Sequence, residues 1–168
     1  PVLTYSEFSK MDASEHRVVI AVANTSMRKK LAERCLNDGH KFWSVKALNT
    51  VIMDDVKIGE GVILSPFVTL TSNIKIGQHF HANIYSYVEH DCVIGDYVTF
   101  APAVKCNGNI VIEDHVYIGA GAIIKQGEPG KPTVIGHGSI VGMGAVVTKS
   151  ISPGITVVGN PAQQLVKN

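Results

Sequence analysis

The sequence predicts a mainly β fold, in which short parallel strands wind into a solenoid behind a small N-terminal α/β portion. Three observations support this prediction. An apolar residue recurs at every sixth position through the middle of the chain, a second apolar register lies four residues on, and glycine often follows the first register. No helix has a period of six residues, whereas short β-branched strands joined by tight turns do. A solenoid of stacked coils therefore accounts for all three observations.

The first register is apolar at all 13 of its positions, whereas a composition of 45% hydrophobic residues would give about six by chance. Its members are Ile52, Ile58, Leu64, Leu70, Ile76, Ala82, Val88, Ile94, Phe100, Cys106, Ile112, Ile118 and Ile124. The second register, from Val56 to Ala122, is broken only by Ser86. The phase is lost at residues 125–133 and returns at Ile135. Three hexapeptides per triangular coil predict a parallel β-helix of about six turns.

The segment before the repeat has a different pattern. Residues 18–23, VVIAVA, are expected to form a buried strand, and residues 42–45 a second one. Between them we expect a helix, capped by Asn24 or Thr25, that runs to about Asn37 and is closed by Gly39. On the solvent face of this helix we place Arg28, Lys29, Lys30 and Glu33. We therefore divide the chain into residues 1–47, a partial α/β portion, and residues 48–168, the β-helix.

Composition excludes several classes of function. Lys and Arg number 15 against 14 Asp and Glu, so the net charge of +1 does not favour nucleic acid or anionic lipid as a partner. No apolar run approaches the roughly 18 residues that a membrane span needs. The three cysteines lack metal-ligand spacing, which is typical of a reduced, cytoplasmic protein. The chain opens with Pro and no Gly-rich phosphate turn precedes residue 18, so we expect an N-terminal segment to be missing.

Residues 84–109, IYSYVEHDCVIGDYVTFAPAVKCNGN, resemble one family of enzymes. These are the left-handed β-helix acetyltransferases that modify nucleotide-linked amino sugars, together with related sialic acid O-acetyltransferases. The resemblance covers nearly the whole chain, including VVIAVANTSMRKKL near the N-terminus and VGNPA near the C-terminus, and it is strongest to bacterial GDP-perosamine N-acetyltransferases. Hexapeptides are common to many acyltransferases, so the Glu-His-Asp motif at residues 89–91 is the more specific signal.

The resemblance implies transfer of acetyl from acetyl-CoA to the 4-amino group of a nucleotide-linked 4-amino-4,6-dideoxyhexose, for O-antigen or a related lipopolysaccharide glycan. It also implies a homotrimer, with acetyl-CoA in the groove between neighbouring β-helices. His90 matches the catalytic general base of the family, and Asp91 matches the residue that orients its imidazole. Three alternatives stay open: O-acetylation of sialic acid or another sugar hydroxyl, a metal-dependent lyase or hydratase, and a non-catalytic β-helix used for assembly.

The residues themselves agree with this chemistry. His90 lies two positions after inward-facing Val88, so it is expected to project outwards, where a substrate can reach it. A histidine beside a carboxylate suits a general base near neutral pH, although an exposed turn histidine bonded to Asp91 would look the same. Cys92 and Cys106 fall in the inward registers, so we expect buried, inert thiols and direct attack within a ternary complex.

The resemblance also implies contacts to both substrates. For the nucleotide sugar, Ala23 and Asn24 match a Gly-Asn pair of the family, and Asn83 matches a frequent asparagine, although a turn or an asparagine ladder would account for it equally well. The positions that match family contacts to acetyl-CoA are Thr99, Gly108, Ala120 and Gly142. Glycine also serves ordinary corner turns, and Thr99 stands where a relative has histidine. Residues 1–47 would hold the nucleotide sugar.

Two further features carry weaker expectations. Lys125 or Lys131, in a loop that interrupts the repeat and should protrude, could meet the phosphates of CoA. His79, His81 and His115 raise a zinc alternative, since some trimeric β-helices are carbonic anhydrases with three histidine ligands. The separated outward histidine pair of that family is missing here, so we expect no metal and place His79 and His81 at the surface or in a groove.

Overall fold

The structure, a computed structural model, describes residues 2–166. The predicted fold class is confirmed, because the chain is mostly β and forms a parallel β-helix of about six turns with few helices. Within residues 2–166, no helix is long and apolar enough to cross a membrane.

The N-terminal unit contains two helices and a two-stranded parallel sheet. Its elements are α1 (Tyr5–Phe8), β1 (Arg17–Val18), α2 (Thr25–Asn37) and β2 (Lys41–Phe42). Helix α2 is capped as predicted, since the side-chain oxygen of Asn24 accepts from the Met27 amide at 2.9 Å and Gly39 follows its end with a φ of +82°.

The two predicted strands of this unit are wrong in length. The first stops at Val18, because the carbonyls of Val22 and Ala23 accept from the side chain of Arg28 rather than from a neighbouring strand. The second ends at Phe42, and Val45 already begins the solenoid. The division near residue 47 stays a prediction.

The β-helix has three faces. Face 1 contains β3 (Val45–Lys46), β6 (Ile63–Leu64), β9 (His81–Ala82), β12 (Thr99–Phe100), β15 (Tyr117–Ile118), β18 (Ile140–Val141) and β20 (Thr156–Val158), with antiparallel β21 (Gln163–Gln164) at its end. Face 2 contains β4 (Val51–Ile52), β7 (Thr69–Leu70), β10 (Tyr87–Val88), β13 (Lys105–Cys106), β16 (Ile123–Ile124) and β19 (Val146–Val147). Face 3 contains β5 (Val56–Ile58), β8 (Ile74–Ile76), β11 (Val93–Ile94), β14 (Ile110–Ile112) and β17 (Thr133–Ile135). The turns between faces are named here corner 1–2, corner 2–3 and corner 3–1.

The core confirms both apolar registers. Tyr87 pairs with Thr69 and with Lys105, each 18 residues away, so the predicted 18-residue coil is the unit of stacking. Ser86 faces inwards as its register requires, and its hydroxyl is satisfied by the Ala101 carbonyl at 3.0 Å and the Val104 amide at 3.1 Å. The inward residues of the first coil are only partly buried, because no coil lies beneath them.

Each corner contains one residue in the left-handed region of backbone space, and these residues recur every sixth position from Asp55 to Gly121. Glycine, Asn, Asp and His tolerate this conformation best. Corner 2–3 uses Asp55, Asn73, Asp91 and Asn109 for it, with φ values of 50–59°. One column of polar side chains therefore runs up this corner. The predicted protruding loop is an exposed insertion in the same corner, between β16 and β17, and Lys125 and Lys131 are exposed in it.

Candidate active site

His90 lies in corner 2–3, between β10 and β11, and projects outwards as predicted, with 62% of its side chain exposed. Val88 two residues earlier is buried in the core, and Asp91 takes the left-handed corner conformation at φ +59°. The backbone amide of Asn109, in the next coil, donates to the His90 carbonyl at 2.8 Å. The main chain at His90 is therefore held by the next coil, and that at Asp91 by the previous one, where its amide donates to the Ser72 carbonyl at 3.2 Å.

The imidazole and the neighbouring carboxylate form a hydrogen-bonded pair. Nδ1 of His90 lies 2.7 Å from Oδ2 of Asp91. The hydrogen bond to His90, followed by one from Asn73, holds the pKa of Asp91 below its usual value. An ionised carboxylate can only accept, so the proton sits on Nδ1 and the lone pair of the neutral ring sits on Nε2. This arrangement leaves Nε2 able to take a proton from a substrate.

A cavity of about 290 Å³ adjoins this pair in corner 2–3. It is lined by residues of three successive coils, including Glu89, Asn107 and the inserted-loop residues Gln126 and Gly127. Asn107 is held by the Tyr87 hydroxyl at 2.9 Å and itself donates to the Ile124 carbonyl at 2.8 Å. The cavity is thus a built, polar recess beside the proposed base.

Gly108 lies directly against the imidazole. A β-carbon built on Gly108 would stand 2.6 Å from Cε1 and 2.7 Å from Nε2 of His90, closer than any real contact. The side chain of His90 therefore keeps its position only because residue 108 is glycine. The sequence predicts that Gly108 contacts acetyl-CoA but does not reveal its contact with the His90 ring.

A larger cavity, about 840 Å³, lies elsewhere, where the start of α2 faces face 1 and corner 3–1. Ala23 and Asn24 lie on it as a pair, Lys29 and Lys30 contribute positive charge, and Glu33, whose carboxylate lies 4.0 Å from the Lys29 ammonium, contributes a negative charge. The opposite wall is built from His115, Tyr117, His137 and Ile140. The predicted nucleotide-sugar residues of the N-terminal unit therefore face a real recess, with the N-terminus of a 13-residue helix at its edge.

Arg28 is not on the solvent face of α2, which corrects the sequence prediction. It is fully buried, and its guanidinium donates to the carbonyls of Val22 at 2.7 Å, Tyr97 at 2.6 Å and Val98 at 3.2 Å. None of the carboxylates in the described residues forms a salt bridge with it. Burial lowers the pKa of Arg28 to about 10. The carbonyl dipoles of the backbone stabilise the buried charge in place of a counter-ion, and no sequence pattern shows where they lie. Because these carbonyls belong to both parts of the chain, Arg28 connects the N-terminal unit to the β-helix.

Thr99 belongs to the same junction. Its side chain is 4% exposed, its hydroxyl accepts from Arg28 at 3.0 Å, and it donates to the Ala23 carbonyl at 3.2 Å. A cofactor contact through this hydroxyl, as expected from the sequence, conflicts with these internal bonds. Thr99 instead holds Ala23 against face 1.

The prediction that His79 and His81 lie at the surface or in a groove is also wrong for His79, which is 1% exposed. It takes a left-handed corner position and stacks on Tyr97, with ring centroids 5.1 Å apart. Burial lowers the pKa of His79 to about 4 and that of half-buried His81 to about 3, and the charge of Arg28 adds to both effects. Both rings are neutral packing groups beneath the N-terminal unit. In residues 2–166, no three His, Cys, Asp or Glu side chains are grouped as a metal ion requires.

Cys92 and Cys106 are buried in the core, as predicted. A hydrogen bond with Cys92 and burial raise the pKa of the Cys106 thiol well above its ordinary value. The Cys92 thiol donates to the Asn107 carbonyl at 3.2 Å, so it points into the protein rather than towards a substrate.

The remaining predicted contacts lie in corner 1–2, on the other side of face 2 from His90. The side-chain oxygen of Asn83 accepts from the neighbouring Ile84 amide at 3.2 Å, which is a local turn bond. The Ala120 carbonyl accepts from the Gly144 amide at 2.8 Å, and a β-carbon on Gly142 would meet Val158 at 2.7 Å. One chain therefore brings His90, Asp91 and Gly108 together in corner 2–3 but places the other predicted site residues elsewhere.

Comparisons with known proteins agree with this architecture. Residues 109–149 match the family described as "Hexapeptide repeat of succinyl-transferase". GDP-perosamine N-acetyltransferase from Escherichia coli O157:H7 is 53% identical over 164 residues, which cover 98% of this chain and 74% of that protein.

Two solved structures extend the likeness. WeeI from Acinetobacter baumannii AYE is 64% identical, with a TM-score of 0.96, and the match covers 98% of this chain and 78% of that chain. PerB from Caulobacter crescentus, in complex with CoA and GDP-perosamine, is 26% identical, with a TM-score of 0.72 over 89% of this chain and 70% of that one. The resemblance drawn from the sequence is thereby confirmed, and the chain belongs to the hexapeptide-repeat family of sugar N-acetyltransferases that includes GDP-perosamine N-acetyltransferase.

Proposed function

We propose that this protein transfers the acetyl group of acetyl-CoA to the 4-amino group of GDP-perosamine or a close nucleotide-linked 4-amino-4,6-dideoxyhexose. The observation that carries the proposal is the outward His90–Asp91 pair beside a polar cavity, in a chain 53% identical to a GDP-perosamine N-acetyltransferase. PerB, a relative of the same fold, holds both CoA and GDP-perosamine. A nucleotide-activated sugar is a precursor of glycans, so we assign the product to O-antigen or related lipopolysaccharide synthesis.

His90 acts as the general base. The amine nitrogen of the sugar attacks the thioester carbonyl, a carbon–nitrogen bond forms, and Nε2 of His90 takes the proton that the nitrogen loses. The carbon–sulfur bond then breaks, and the leaving sulfur takes that proton from the imidazolium, so that CoA departs as a thiol and His90 is again neutral. Asp91 stabilises the imidazolium that forms, and main-chain amides of the groove stabilise the oxyanion. Base catalysis of this kind contributes about 10²–10⁴-fold to the rate.

The N-terminal cavity suits the nucleotide. Asn24, the helix N-terminus behind it, and the ammonium groups of Lys29 and Lys30 present donors and positive charge to a diphosphate. Ala120 and Gly142 stay assigned to acetyl-CoA, and Asn83 to the sugar. Thr99 serves by holding Ala23.

The assembly we propose is a homotrimer, and the separation of the site residues supports it. Asn24 faces corner 3–1 whereas His90 occupies corner 2–3, and the whole of face 3 lies between them. A nucleotide sugar held by Asn24 can meet His90 if that histidine comes from a neighbouring copy.

A complementation experiment tests this assembly. Asn24→Asp keeps the helix cap but puts a negative charge beside the diphosphate, and His90→Ala removes the base. Each variant should be nearly inactive alone. An equal mixture, dissociated and reassembled, should regain about a quarter of the wild-type activity, the chance that one site draws an intact residue from each kind of chain. Activity no greater than the sum of the separate variants would show that each chain builds its own site.

The reaction itself is tested by thiol release from acetyl-CoA, with GDP-perosamine and its UDP- and dTDP-linked 4-amino counterparts offered in turn. Release that depends on one amino sugar and is lost with its 4-hydroxy analogue supports the proposal. Release with the hydroxyl analogue instead would indicate O-acetylation. We place the protein in the cytoplasm, in keeping with three free cysteines.

A further inference from the structure

Asn73 occupies the same place in corner 2–3 as Asp91, one coil earlier. Both residues have the left-handed corner conformation, with φ values of +56° and +59°, and the Asp91 amide donates to the Ser72 carbonyl at 3.2 Å. Stacking of equivalent corners brings the two side chains together, and Nδ2 of Asn73 donates to Oδ1 of Asp91 at 2.6 Å. Asn73 is exposed and forms no part of the core.

The two oxygens of the Asp91 carboxylate therefore have separate partners. Oδ1 accepts from Asn73, and Oδ2 lies 2.7 Å from Nδ1 of His90. Half of the Asp91 side chain is exposed, so without Asn73 water would replace the donor at Oδ1 and only the bond to His90 would orient the carboxylate. Asn109, the equivalent residue one coil later, directs its amide to the Glu128 carbonyl instead and gives Asp91 no support.

We infer that Asn73 is a positioning residue, which fixes the Asp91 carboxylate so that Asp91 in turn holds the His90 imidazole in the tautomer with a free Nε2. This inference rests on the proposed function for its kinetic consequences, but not for its structural ones. In this series of hydrogen bonds, Asn73 orients Asp91 and Asp91 orients His90. No proton passes through Asn73, since its amide donates to an ionised carboxylate.

Asn73→Gly tests the inference with little effect on folding, because glycine accepts the left-handed corner conformation without strain. The expected result is a fall in kcat of about two- to tenfold, the factor carried by one hydrogen bond of ordinary net strength, with both KM values unchanged. Asp55→Gly is the matched control, since Asp55 occupies the same corner one coil earlier, also left-handed, and should keep wild-type kcat. In an Asp91→Ala background, Asn73→Gly should have no further effect.

Asn73→Asp provides a second readout that a purely structural role would not change. It replaces the donor by a carboxylate that repels Asp91 at neutral pH but, once protonated, can donate again. The ratio of its kcat to the wild-type kcat should therefore rise as the pH falls towards 5. A ratio independent of pH, together with an Asn73→Gly kcat equal to that of the Asp55→Gly control, would overturn the inference.

The tautomer of His90 can also be read directly, by ¹⁵N chemical shifts of the imidazole in wild-type and Asn73→Gly protein. The wild type should show protonated Nδ1, and the variant a mixed population. This measurement needs no substrate, so it tests the inference even if no sugar of the panel is acetylated, which would count against the proposed function alone. An unchanged tautomer in the variant would overturn the inference.

Discussion

Replacing Gly108 with alanine is expected to slow the reaction by displacing the imidazole of His90. The new β-carbon would stand 2.6 Å from Cε1 of that ring, whereas ordinary contact begins at 3.4 Å, so the ring has to move by about 0.8 Å. A misplacement of about 1 Å in a catalytic group costs roughly 10²-fold in rate. We therefore expect kcat to fall by about 10–10²-fold. The ring is exposed and can turn outwards, so the fold should be kept.

The assay is thiol release at saturating GDP-perosamine and acetyl-CoA, with a double-mutant cycle as its control. His90→Ala removes the ring that the new methyl group would strike, so Gly108→Ala should have no additional effect on kcat in that background. The KM of acetyl-CoA should stay within about twofold in both backgrounds.

Two results would contradict a role of Gly108 in placing the His90 ring. A Gly108→Ala variant with wild-type kcat would show that the methyl group is accommodated without moving the ring. An equal loss in the His90→Ala background, together with a raised KM for acetyl-CoA, would show that Gly108 acts on the cofactor rather than on the histidine.

Three further predictions concern the rest of the molecule. Arg28→Met should lower the free energy of unfolding by about 2–5 kcal/mol, because it leaves buried carbonyls without donors, while exposed Lys30→Met should change it by less than about 0.5 kcal/mol in urea titrations. Burial lowers the pKa of His79 from its ordinary value of 6.5 to about 4 in the folded protein, so the unfolded state binds more protons between these two pH values. His79 should thus contribute a fall in the free energy of unfolding of about 1 kcal/mol per pH unit between pH 6 and pH 4. His79→Phe should remove that contribution and leave the one made by His81, whose pKa is also lowered. Cys92→Ala should keep kcat within about threefold, and a loss beyond 10²-fold would favour an acyl-cysteine intermediate.

The solenoid could be predicted from the sequence because its signal is local and repeated. The inward orientation of a residue such as Val88 or Ile94 follows from its position within one hexapeptide. A wrong assignment in one hexapeptide therefore leaves the assignment of the next one unchanged. The N-terminal unit has no such redundancy. Arg28 was assigned to solvent because it is charged, whereas its burial depends on carbonyls of Tyr97 and Val98, which lie about 70 residues away.

The part of the candidate site that is local in the sequence could also be predicted. His90 and Asp91 are adjacent, so their pairing is visible in the sequence. Asn73 and Gly108 lie 18 residues from Asp91 and His90 respectively, and they touch the pair only because one coil has 18 residues. The coil length was already known from the repeat, so stepping one coil in each direction would have found both. That the amide nitrogen of Asn73 meets the Asp91 carboxylate, by contrast, depends on the geometry of the corner, which the repeat does not encode.

One comparison shows whether His90 is the base of an acetyl transfer to a nucleotide-linked amino sugar. Thiol release dependent on GDP-perosamine is measured for wild-type and His90→Ala protein, together with the affinity of each for acetyl-CoA. We expect kcat to be lower by about 10²–10⁴-fold in the variant, with the fold and the acetyl-CoA affinity retained. A His90→Ala variant that turns over at the wild-type rate would contradict this role of His90.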